Sequence, residues 1–97
     1  MTKNEHNGWT NYETWLVKLW MDNDEGSSSM WRESAEQAVK RHSDISTLAD
    51  TLKEEHENAL PELSGFACDL MNAALSEVNW HEIAESLMND AKESLAA

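Results

Sequence analysis

The chain has 97 residues with one proline, three glycines and a 40% apolar share, a composition that suits one helical domain better than a turn-rich β fold. Nineteen acids against seven bases give a formal charge of -12, the reverse of the balance a direct nucleic-acid binder carries. The single cysteine, Cys68, excludes an internal disulfide, and no apolar run approaches the roughly 18 residues a membrane span needs.

The opening residues MTKNEHNGW lack the apolar stretch of a secretory signal. The expectation is a soluble, cytoplasmic protein forming one domain over residues 1–97, with a flexible segment of about eight residues at its start. A capping box then pairs Thr10 with Glu13. Tyr12, Trp15, Leu16, Leu19 and Trp20 recur at helical spacing and predict helix 1 over about 11–22, with Trp15 and Trp20 in the core. The run Asp22-Asn23-Asp24-Glu25-Gly26 reads as a polar stop. Helix 2 is predicted over about 29–42, with Trp31, Ala35, Ala38 and Val39 inward. Helix 3 follows over about 45–58, with Ile45, Leu48, Ala49 and Leu52 inward. Pro61 suits the first turn of helix 4. That helix has the most periodic stripe in the chain: Leu63, Phe66, Ala67, Leu70, Met71, Ala74, Leu75 and Val78. Asn79 caps helix 5, which turns Ile83, Ala84, Leu87, Met88, Ala91 and Leu95 inside. No segment alternates with period two. The predicted fold class is all-α, a compact bundle of four or five short helices.

Motifs that would signal catalysis or cofactor binding are incomplete. His81-Glu82-Ile83-Ala84-Glu85 has the outline of a zinc-protease helix, but Glu85 stands where the second histidine is required. Asp22 to Glu33 has an EF-hand's length, yet Gly26 falls at the fifth place and Met30 at a ligand place. Cys68 lies inside a periodic helix, as a small hydrophobe does. No cofactor, metal site or enzymatic activity is expected. Trp9, just before the cap, reads either as a hydrophobic staple or as an exposed anchor for a partner.

The acids carry more information. Residues 42–97 hold twelve of them against Lys53 and Lys92. Asp50, Glu54 and Glu57 form one helical row with Glu55 beside it. Glu82, Glu85 and Glu93 form a second, flanked by Asp90. Neighbours in such rows lie roughly 5–6 Å apart, comparable to phosphates along a nucleic-acid strand. The rows, together with Asp22, Asp24 and Glu25, are the candidate partner-binding residues. Their plainer reading is a set of solvated faces that keep a small protein soluble.

Asn7-Gly8-Trp9-Thr10-Asn11-Tyr12-Glu13-Thr14-Trp15-Leu16-Val17, with Leu19-Trp20 and Asp22 to Gly26, is similar to a family of small phage and mobile-element proteins. Leu63-Ser64-Gly65-Phe66, Ala73-Ala74-Leu75 and Val78 to Ala84 resemble its C-terminal pattern. Length and acidity also resemble a type I-F anti-CRISPR of that neighbourhood. This resemblance implies a DNA mimic in the bacterial host cytoplasm, bound to the type I-F Cascade (Csy) complex. It would cover the positive surface formed by Cas7 and by the Cas8–Cas5 end, without touching nucleic acid itself. The competing expectation is a phage accessory protein that regulates a host enzyme through the aromatic N-terminal region.

Overall fold

In the computed structural model, which describes residues 5–96, the chain is all-α. The helices are α1 (Tyr12–Asn23), α2 (Glu25–Lys40), α3 (Ile45–Asn58), α4 (Gly65–Ser76) and α5 (Trp80–Ala96). The central helix is α5, which packs against α3 and α2 while α1 lies on α2 and touches α5. The amphipathic stripes of α2, α3 and α5 meet as the sequence predicts. Trp31, Ala35 and Ala38 face Leu48, Ala49 and Leu52 and, from α5, Ile83, Ala84, Met88 and Ala91. Trp80, Val78 and Met21 complete this core, and Trp9 packs against it. Full burial of Leu52 or Ile83 contributes about 1.5–3 kcal/mol each. Leu95, expected inside, is exposed beyond the last buried turn of α5.

Helix 1 is turned away from its expected face. Asn11, Thr14 and Met21 are buried and Val17 packs on the core, whereas Tyr12, Leu19 and Trp20 are exposed and Trp15 and Leu16 only half-buried. The cause is polar. Asn11, not Thr10, caps α1: its Oδ1 accepts from the Thr14 amide at 2.9 Å and the Thr14 hydroxyl at 2.6 Å. Its Nδ2 donates to the Glu77 carbonyl at 2.6 Å, and the Thr14 hydroxyl oxygen accepts from the Asn79 amide at 2.9 Å. Those bonds fix the helix by its polar face to the turn before α5, so the larger apolar stripe points outward. Asn11→Ala removes the cap and leaves a buried carbonyl and hydroxyl short of partners. We expect it to cost about 1–3 kcal/mol in urea unfolding. A loss under about 0.5 kcal/mol would mean that this anchor does not set the helix orientation.

Residues 1–4 of the expected flexible segment lie outside the described residues. His6 and Trp9 exchange backbone hydrogen bonds of 2.9 and 2.8 Å across Asn7 and Gly8, both at positive φ. This is the backbone of a two-residue hairpin turn, for which Asn-Gly is the favoured pair. The turn sets the His6 ring 4.5 Å from Trp15 and 5.2 Å from Tyr12, covering part of the outward stripe.

Two further boundaries move. Asp24 alone separates α1 from α2, capping the latter by accepting from the Gly26 and Ser27 amides. Gly26 is therefore inside a first turn rather than ending a helix, and α2 starts four residues before its expected position. Helix α4 begins at Gly65, so Pro61 stands in the preceding loop. Its predicted inward stripe is not buried. No residue of α4 is buried, and Phe66 is 80% exposed. Only Leu75, near its C-terminal end, packs against the core.

The caps of the other helices are local. Asp44 caps α3, and hydrogen bonds from the Thr47 hydroxyl and amide hold its carboxyl below the ordinary carboxylate value. The folded value lies under the unfolded one. The cap's contribution is therefore present above the unfolded pKa and lost as pH falls through the folded one. Asn79 accepts from the Glu82 amide at 3.0 Å, as its predicted capping role requires.

Candidate functional site

On α3 the residues opposite Leu48 and Leu52 are Asp50, Glu54 and Glu57, with Glu55 on the flank. All four are exposed. Their carboxylates make no hydrogen bond or ion pair among the described residues, where Lys18–Asp22 is the single ion pair. Lys53, also exposed, lines a shallow crevice with Asp50 beside the turn before α5. The row therefore presents four acids and one base to solvent.

The second row is divided by the fold. Glu85 and Glu93 are exposed and unpaired. Glu82 is half-buried and accepts from the Thr10 amide at 3.0 Å, tying α5 to the residues before α1. Asp90 lines a crevice with Lys18, Asp22 and Arg32, so basic side chains surround it more than acidic ones do. At the α1–α2 junction Asp22 is held by Lys18 at 2.7 Å and Asp24 is spent as a cap. Glu25 is exposed in the first turn of α2, where the helix dipole favours a carboxylate. Seven candidates stay free for a partner: Glu25, Asp50, Glu54, Glu55, Glu57, Glu85 and Glu93.

A second surface was not foreseen. Leu16, Val17, Trp20 and Met21 of α1 form one wall of an apolar groove of about 360 Å³. His56, Leu60, Leu75 and Trp80 form the rest, with Asp24 and Ser27 at one end. Trp20 stands on its edge, 70% exposed. The floor is rigid by construction. His56 lies between Trp31 and Trp80, with ring centroids 5.7 and 5.1 Å away. Its Nδ1 is 2.7 Å from the Leu52 carbonyl, an arrangement that requires the proton on Nδ1. A legible signal for this groove was the excess of apolar residues on α1, more than one buried face can use. His56, Leu60 and Trp80 gave no such signal, because their meeting depends on where three helices end.

The incomplete motifs have structural roles instead. The EF-hand-like run is the one-residue junction at Asp24 and the helix after it, leaving no twelve-residue loop. Among the described residues no three His, Cys, Asp or Glu side chains converge as metal ligands. No helix of the described chain is long and apolar enough to cross a membrane. The arrangement can attract positive charge along α3 and receive an apolar side chain beside Trp20.

Residues 2–95 match the model of a family of unknown function (DUF7249), and the chain belongs to that family. No curated protein and no solved structure matches it.

Proposed function

We propose that this member of a family of unknown function acts by binding, as a stoichiometric antagonist that occupies a basic nucleic-acid surface on another protein. The observation that carries the reading is the α3 row: Asp50, Glu54, Glu55 and Glu57 are exposed, unpaired and set on a helix whose opposite face is locked in the core. Carboxylates one helical turn apart take the places of phosphates, and the body behind them blocks entry of the duplex. The resemblance stated above makes the type I-F Cascade (Csy) complex the first partner to test, at its Cas7 and Cas8–Cas5 surfaces. The net charge of -12 speeds encounter with any such surface and repels DNA.

A pulldown with purified Csy complex tests this. Capture is expected from the free complex, to be lost when target DNA is bound first, and to weaken steeply with salt. Equal capture with and without DNA would reject competition for one site.

One observation favours a second reading, regulation of a host enzyme through the aromatic region. Trp20 is exposed at the edge of an apolar groove, as an anchor for a partner would be. Binding of that kind is salt-tolerant and lost in Trp20→Ala, whereas the α3 reading leaves that variant active.

A further inference from the structure

We propose that two copies of this chain associate through α4, packed antiparallel about a two-fold axis near Leu70. The helix has 12 residues and buries none of them. At that length a helix is marginal in water unless something covers it. Local devices do not replace that cover: Ser64 makes no side-chain cap bond, the first turn has no acid and the last turn has no base. Yet α4 is the most apolar helix of the chain, with Phe66 80% and Leu70 57% exposed.

Charge identifies the occupant. A body of -12 repels a second copy almost everywhere, and α4 is where that repulsion is least, because Asp69 is its only charged residue. The surface offers no carboxylate row to draw a basic partner. It is also complementary to itself. Phe66, Leu70, Ala73 and Ala74 share one face at helical spacing. A two-fold axis at Leu70 sets each Phe66 over the partner's Ala74 and each Ala67 by the partner's Ala73, while the two Leu70 side chains meet. Large thus lies against small at both ends, as close packing requires, and the antiparallel helix dipoles attract. The covered area falls below the roughly 1,200 Å² of a standard interface. The dimer is therefore reversible, half-formed on the order of 100 µM.

Sedimentation equilibrium of the whole chain from about 1 µM to 1 mM tests the proposal. The apparent mass should rise from 11.0 kDa toward twice that value. Added salt should strengthen association, because it screens the repulsion and leaves the apolar contact intact. The Phe66→Asp/Leu70→Asp variant should stay monomeric while keeping the melting temperature of the dilute parent. A second variant stands in should that one unfold. Leu70→Cys in a Cys68→Ser background should oxidise to a covalent dimer, while Glu33→Cys in the same background should not. A parent monomeric at 1 mM, or a dimer that survives the double aspartate variant, would overturn the proposal.

Discussion

Asp50→Lys/Glu54→Lys/Glu57→Lys is expected to lose inhibition by on the order of 100-fold while remaining folded. Each exposed ion pair is worth roughly 2–5-fold. Three are lost here and three repulsions replace them. Folding should be spared because these side chains face away from Leu48 and Leu52 and make no contact that the fold uses. The change also takes the formal charge from -12 to -6, three steps of two units, which eases self-repulsion. Glu85→Lys/Glu93→Lys is the companion variant on α5, leaving Glu82 to hold the Thr10 amide. Competition with target DNA, measured across a salt series, reads both variants. Should both inhibit like the parent, with a flat salt response, the rows are solvated faces and the groove beside Trp20 becomes the leading surface.

Trp31→Ala is expected to lower stability by about 3–5 kcal/mol, as truncation of a buried tryptophan does. Trp31 is 4% exposed, and its loss leaves His56 stacked on one side only. For a domain of this size that is a fall in melting temperature of about 15–30 °C, followed by circular dichroism. Trp20→Ala should shift the melt by no more than a few degrees, as exposed substitutions do. Trp15→Ala should lie between them, since Trp15 is half-buried against His6 and Tyr12. If Trp20→Ala melts as early as Trp31→Ala, the outward orientation of α1 is wrong.

The same three tryptophans separate what sequence could and could not show. Trp31 sits on a helix with one apolar stripe, so periodicity had a single answer and found it. The stripes of α3 and α5 were legible for the same reason, and with them the exposure of Asp50, Glu54 and Glu57 on the opposite side. On α1 two stripes compete. The richer one contains Trp15 and Trp20, and the poorer one contains Thr14, Val17 and Met21. Hydrophobicity selects the first.

The fold selects the second, because Asn11 and Thr14 hydrogen-bond to Glu77 and Asn79, more than sixty residues away. No local pattern records a bond of that range. The carboxylate rows suffered similarly. Sequence placed Glu82 with Glu85 and Asp90 beside Glu93, but could not see that Thr10 occupies Glu82 or that Lys18 and Arg32 line the crevice with Asp90.

By itself, then, the sequence determined the helices, their acidic faces and three of the four faces that build the core, because these follow from spacing along one chain segment. Tertiary structure alone decided the rest: which stripe α1 buries, that the most apolar helix lies outside the core, and that Trp20 edges a groove floored by Trp80 and His56. The physical reason is that a core has finite volume. Trp31, Leu52, Trp80, Ile83 and Met88 already fill it, so the apolar stripes that remain on α1 and α4 are left facing outward.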